Sequence, residues 1–263
     1  MVGLAGFTKN CSKLFIEDKL SGEDKLSGRT MITGTLHADY CIKGHNGLET
    51  SVILSEDYAR MFAKGKFMER DTVKDILRQF NERGIRYCLI GGLALAHHSI
   101  PRMTQDVDLL VIPEDMPLVQ QVLAGHELHG TSVVLVFKVG ATKIDVQPAN
   151  LRAKREAVLS AIEDLLDEQM VKVVNLRDLL FLKMWAVPMR HETGKRMQDE
   201  ADIANLLEFN SEKVTAEMIN YICRALLGMV YSAEDTAKYR AQIEWLNDLL
   251  KKLGMDDRRY SLS

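Results

Sequence analysis

Cysteine is scarce in this chain of 263 residues: Cys11, Cys41, Cys88 and Cys223 are scattered, and no Cys-x-x-Cys pair occurs. That spacing excludes a disulfide scaffold and points to a reducing cytoplasm. Long apolar runs are also lacking, because charged residues interrupt every candidate, so no membrane partner is expected. The N-terminal stretch Met1 to Asn10 has neither the apolar core nor the cleavage site of a signal peptide. An excess of charge of one sign is missing as well. The formal net charge of −3 gives no global basic field for nucleic acid, although local basic clusters can still bind RNA. What is present is 46% hydrophobic and 27% charged residues, enough to build one large core or two small ones.

Residues 1–66 read as an N-terminal extension. A hexapeptide is duplicated in tandem, Glu17 to Gly22 and Glu23 to Gly28. Two copies are too few for a solenoid and suggest a linker or duplicated loop. The β-branched runs Thr30 to Thr35 and Thr50 to Leu54 read as short β elements or a hairpin. His37, Asp39, Cys41 and His45 have a spacing that could ligate zinc. A fourth ligand is unclear, and the bland reading is preferred.

From Glu69 the pattern sharpens. Val73, Ile76, Leu77 and Phe80 recur at helical spacing and stop at Gly84. A buried strand from Ile85 to Ile90, a short helix from Leu93 to His98 and a strand from Val107 to Ile112 follow. Pro113 and Glu114 open a helix through Leu123. Ser132 to Val139 and Lys143 to Val146 then read as a strand pair across Gly140. The alternation predicts an α/β (α+β) sheet domain over residues 67–150. From Leu151 to residue 263 the expectation is a helical half that completes the cleft. Asn175, Ser211 and Ser232 are its candidate N-caps, and Pro188 ends or kinks one helix.

The chemistry concentrates between residues 90 and 108. An apolar run ends in Gly91 and Gly92, a short helix follows, and the next strand opens on Asp106 and Asp108. Glycines at a strand-to-helix turn let backbone N–H groups approach a phosphate. Carboxylates two residues apart on a strand share one face, and paired oxygen ligands suit Mg²⁺ shared with substrate phosphates. By itself Asp-Val-Asp is an ordinary strand start; the upstream glycines reverse that reading. A third acid is then expected on a neighbouring strand, and Asp145 between Ile144 and Val146 supplies it. Three acids converging from two strands form a clamp for two Mg²⁺ ions, with Mn²⁺ as the substitute.

Gly-Gly-x-Ala at Gly91 to Ala94, Arg-x-Thr-x-Asp-x-Asp-Leu at Arg102 to Leu109, and hydrophobic-Asp-hydrophobic at Ile144 to Val146 resemble the DNA polymerase β-type nucleotidyltransferase superfamily. Within it the chain most resembles the AbiEii-type enzymes of abortive-infection and toxin–antitoxin systems. The helix Leu179 to Ala186 and the segment Lys195 to Ile203 extend the resemblance over about residues 70–210. It implies a nucleotidyltransferase-type mixed sheet with flanking helices. It also implies an enzyme that moves a nucleoside monophosphate from an NTP to an acceptor hydroxyl, releasing pyrophosphate. The acceptor would be tRNA or protein in a toxin-like setting, with a cognate antitoxin as a partner. A small-molecule acceptor such as an antibiotic, or a non-catalytic nucleotide or RNA binder on the same fold, is the alternative.

The resemblance also assigns roles. Gly91 and Gly92 cradle the triphosphate, and Asp106, Asp108 and Asp145 are the catalytic metal ligands. Lys183 approaches the phosphates or base, and Asp199 and Asp202 order basic side chains or the acceptor. Two positions depart from the pattern: Gly92 stands where many members have Ser, and Gln198 where a basic residue is common. Arg102 and Thr104 are nucleotide-binding candidates on the approach to the acids. Equally, Arg102 could pair with Asp106 or Asp108, and Thr104 could cap the turn. Lys183 could be a lysine snorkelling from an apolar helix, and Asp199 and Asp202 a solvated face. His97 and His98 read as packed or capping residues. The groups Arg152-Lys154-Arg155 and Arg190-His191-Lys195-Arg196 read as solvated faces that would grip RNA only if they line the cleft.

Overall fold

The computed structural model describes residues 41–62, 68–230 and 232–262, all within one compact unit. The duplicated hexapeptide, the run Thr30 to Thr35, and His37 and Asp39 of the zinc spacing lie outside the described residues.

The chain enters through α1 (Gly47–Phe62) and α2 (Arg70–Glu82), then β1 (Tyr87–Leu89), α3 (Gly91–His98) and β2 (Asp106–Val111). A 3₁₀ turn at Pro113–Asp115 leads into α4 (Met116–Val122), β3 (Glu127–Gly130), β4 (Leu135–Val139) and β5 (Thr142–Pro148). Next come α5 (Arg152–Leu159), β6 (Ile162–Leu166), β7 (Gln169–Val173) and the helices α6 (Leu176–Ala186), α7 (Thr193–Phe209), α8 (Ala216–Leu227) and α9 (Ala233–Lys252). The described strands form one seven-stranded mixed sheet in the order β3-β4-β5-β2-β1-β7-β6. β2 runs parallel to β5 and β1 parallel to β7; the remaining pairs are antiparallel. The expected α/β mixed sheet with flanking helices is thus the observed architecture. No helix among the described residues is long and apolar enough to cross a membrane.

Local chemistry explains most boundaries. Val73, Ile76, Leu77 and Phe80 form the buried face of α2, and Gly84 follows its last turn with φ 67°. Phe80 then meets Tyr87 of β1 edge-on at 5.6 Å. Central strand β2 is buried from Leu109 to Val111 and pairs on both sides, so its apolar run is continuous. Pro188 falls in a 3₁₀ turn directly after α6, where its missing N–H costs nothing. Ser232 caps α9 as expected, whereas α8 is capped by Thr215 and not by Ser211.

Two expectations are overturned. Thr50 to Leu54 is helical, inside α1. Asn46 accepts from the Glu49 N–H at 2.8 Å while Glu49 accepts from the Asn46 N–H at 3.0 Å, a reciprocal capping box that starts the helix. Leu48 and Val52, one turn apart, are then fully buried, and this packing outweighs the β propensity of Thr50, Val52 and Ile53. The chain after Leu151 is also not purely helical, because β6 and β7 add a hairpin to the edge of the same sheet beside β1. Its turn places Asp167 at φ 54°, where the carboxylate pairs with Arg70 and Lys74 of α2 and the N–H donates to Glu49 at 2.7 Å. Tertiary contacts therefore hold a turn that carries no glycine.

Asn175 ties the hairpin to the helical part. Its Oδ1 accepts from the Asp178 N–H at 2.9 Å, and its Nδ2 donates to Ser160 Oγ and to the fully buried Asp178 carboxylate, each at 2.8 Å. Asn175→Ala should cost about 1–2 kcal/mol, the usual worth of an N-cap. Urea titration should show a lower midpoint at unchanged slope, and an unmoved midpoint would contradict this reading.

Candidate active site

The parallel register of β2 and β5 sets Asp106 beside Lys143 and Asp108 beside Asp145. Period-two alternation along each strand puts these four side chains on one face, between buried Val107, Ile144 and Val146. The expected acids are thus brought together. Lys143, which sequence reasoning passed over, lies among them: its Nζ donates to Asp145 at 2.6 Å and to Asp106 at 2.9 Å. The signal for it was available, since a residue two before Asp145 must share its face. No group of three or more His, Cys, Asp or Glu side chains among the described residues is arranged to hold a metal ion. Where the sequence led to the expectation of a metal clamp, three neighbouring carboxylates stand with an ammonium bridging two of them.

The crowding has an electrostatic signature. Burial, then the charges of Asp106 and Asp145, push the Asp108 carboxyl up to about 7 from 3.8, with Lys183 and Lys143 pulling the other way. Asp145 Oδ1 is buried without a hydrogen-bond partner.

The two glycines are required for different reasons. Gly91 has φ 63°, and a side chain there would overlap the Asp108 carboxylate. At Gly92 a β-carbon would sit 2.6 Å from Thr104 Oγ1. Thr104 fills the space that a side chain at position 92 would take; its hydroxyl has one long hydrogen bond, 3.4 Å to the Asp106 carbonyl. Both glycines lie in the first turn of α3, whose N–H groups have no partner within the helix.

Behind the acids lies a second charge cluster on α6 and α7. Lys183 Nζ donates to Asp202 at 2.7 Å and to Asp199 at 2.8 Å. Arg190 Nε donates to Asp199 at 2.8 Å, and Arg102 Nη2 to Asp202 at 3.3 Å. Asp199 and Asp202 are each only 4% exposed, so they are not a solvated face. Burial opposes the charge of Asp199, but Lys183 and Arg190 outweigh it and hold the carboxyl below its ordinary value. Arg102 pairs with Asp202 and not with Asp106 or Asp108. With the Gln198 amide turned so that its oxygen faces Arg102, it accepts from Nη1 at 2.7 Å and Nη2 at 3.1 Å. A basic residue at position 198 would face that guanidinium, which explains the second departure from the family pattern.

The remaining candidates stand apart. His97 Nδ1 lies 2.5 Å from Asp164, and His98 Nε2 lies 2.7 Å from the Val174 carbonyl, in keeping with packed histidines. His45 pairs with Glu49. Lys154 is not solvated: it is 4% exposed, and its ammonium lies 4.2 Å from the centre of the Trp185 ring. Arg152 and Arg155 pair with Glu156 and Glu114, and Lys195 and Arg196 with Glu192 and Glu200.

Comparison with known proteins places this geometry. Residues 75–252 match the family model described as "Nucleotidyl transferase AbiEii toxin, Type IV TA system". No curated protein matches. Among solved structures, the chain is similar to a nucleotidyltransferase-like protein from Paracoccidioides brasiliensis at 15% identity and a TM-score of 0.46, covering 74% of this chain and 94% of that one. It is also similar to ANT(2")-Ia, solved with adenylyl-2"-tobramycin, at 14% identity and a TM-score of 0.40, covering 55% of this chain and 98% of that one.

The raised Asp108 carboxyl yields a sign that can be checked without nucleotide or metal. The folded chain holds this proton more tightly than the unfolded one. Ionisation therefore costs stability, increasingly as pH rises from 3.8 through about 7, and fully above that. In metal-free buffer at pH 8, Asp108→Asn should raise the melting temperature by on the order of 5 °C. The gain should shrink as pH falls towards 4. An unchanged or lower melting temperature at pH 8 would show that the carboxylates are not crowded.

Proposed function

The chain belongs to the AbiEii family of nucleotidyltransferases, and we propose that it transfers a nucleoside monophosphate from an NTP to an acceptor hydroxyl, with Mg²⁺ and release of pyrophosphate. The observation that carries this reading is the set Asp106, Asp108 and Asp145 on adjacent parallel strands, with Asp108 against Gly91 at the start of α3. The donor chemistry supports a divalent cation, with Lys143 now bridging two of the three acids. Asp145 has a buried carboxylate oxygen without a partner, and Asp108 resists ionising because it is buried and lies beside two other carboxyl groups. Asp106, Asp108 and Asp145 would hold the ion, Mg²⁺ or Mn²⁺. When bound, it neutralises phosphate charge and lowers the pKa of the attacking hydroxyl.

The chain's own groups do the rest. The first-turn N–H groups of Gly91 and Gly92 bind the anionic phosphates, and the Thr104 hydroxyl replaces the absent serine beside them. Lys183 and Arg102 are held by Asp199 and Asp202 on the helical side, so their positive charge is fixed before substrate arrives. Such preorganised charge stabilises the transferring phosphoryl group without reorganisation during the reaction. In this reading residues 67–150 supply the acids and 151–263 close the cleft over them.

For the acceptor, the toxin description of the family favours a cellular macromolecule, tRNA or protein, with a cognate antitoxin as partner. The test is incubation with each α-labelled NTP, Mg²⁺, total cellular RNA and lysate, followed by electrophoresis. Label in a tRNA or protein band is expected. Label only on a small molecule would move the acceptor to the antibiotic type. No label, together with NTP binding by calorimetry that ignores Mg²⁺, would leave a non-catalytic binder.

A further inference from the structure

Lys143 lies on the acid face and has no part in the reaction above. It stands on β5 in register with Asp106 and two residues before Asp145, and it reaches both carboxylates with short charge-assisted hydrogen bonds of 2.9 and 2.6 Å. Its side chain is 18% exposed and so is Asp145's, so the pair is held out of bulk water, where screening is weak. The bridge is also incomplete. One ammonium meets one oxygen of each carboxylate, leaves Asp145 Oδ1 buried without a partner, and does not touch Asp108.

From this juxtaposition we infer that Lys143 is a built-in cation that competes with the divalent ion for Asp106 and Asp145. The inference rests on the metal-dependent reading proposed above. The ammonium keeps the acids together before the metal arrives and weakens their affinity for it. When the ion binds, Lys143 leaves the carboxylates and its charge is free to turn to the phosphates that enter with the ion. Metal loading is thereby tied to nucleotide binding, and loading by the ion alone is suppressed. A merely structural lysine has the opposite consequence: without it the carboxylates repel one another, the site splays, and the ion binds less well.

The test is a Mn²⁺ titration of the full chain followed by electron paramagnetic resonance, without nucleotide, for the wild type, Lys143→Met and Lys143→Gln. Loss of a competing charge-assisted hydrogen bond should tighten Mn²⁺ by about tenfold or more in both variants. A second readout needs no variant. Acylation of Lys143 in the wild type, followed by mass spectrometry, should rise when Mn²⁺ is added alone at saturating concentration. Unchanged or weaker Mn²⁺ binding in the variants, or unchanged acylation, overturns the inference while leaving the metal-dependent reading intact. Absence of Mn²⁺ binding by every protein, with NTP present as well, overturns both.

Discussion

Three carboxylates on two adjacent strands repel one another, and much of the surrounding structure supplies the cations and backbone that make the arrangement tolerable. Two unit charges about 5 Å apart at an effective dielectric near 20 repel by roughly 3 kcal/mol. A neutral hydrogen bond, worth about 1 kcal/mol, cannot offset that, so full cations are needed. Lys143 lies among the acids, and Lys183 approaches from α6. Lys183 is itself held by Asp199 and Asp202, which Arg190 and Arg102 balance in turn. Charge thus alternates outward from the acids, and each tier fixes the position of the next. The backbone yields as well: Gly91 carries no side chain because Asp108 occupies that space.

The same constraint explains why the fold is tied together on the far side of β1. The acids are placed by strand register, and register holds only while the central strands are covered. The β6–β7 hairpin covers the β1 edge, and the α1 capping box and the Arg70 and Lys74 pairs hold its turn. Helix α1 packs on α3, the helix that begins at the two glycines. Residues far from the chemistry therefore bear on where the acids stand.

Most of residues 69–148 was legible because period and punctuation agree there, but the exposed strand β3 (Glu127–Gly130) carries no apolar alternation and was not expected. The α2 stripe stops at Gly84, the buried runs at β1 and β2 flank the glycines, and Gly140 marks the β4–β5 turn. The placement of the acids and glycines was legible for the same reason, from strand alternation and turn position. The β6–β7 hairpin was not. Ala157, Val158, Ile162, Leu165 and Leu166 recur at three- and four-residue spacing, much of β6 is exposed, and the turn at Asp167 carries no glycine. Its strand character comes from pairing with β1, which a local pattern cannot show. Helix α1 was missed because burial of Leu48 and Val52 overrides a β-branched stretch. The partners of Arg102 were unreadable, since Asp202 lies a hundred positions away.

The central claim is that Asp106, Asp108 and Asp145 carry out nucleotidyl transfer. Its most direct test is the rate of labelled nucleotide transfer by Asp106→Asn, alongside its circular dichroism and melting temperature. The account predicts a folded protein whose transfer falls by at least about a hundredfold, the scale on which losing one preorganised charge in an active site is felt. Undiminished transfer by a folded Asp106→Asn protein would contradict it.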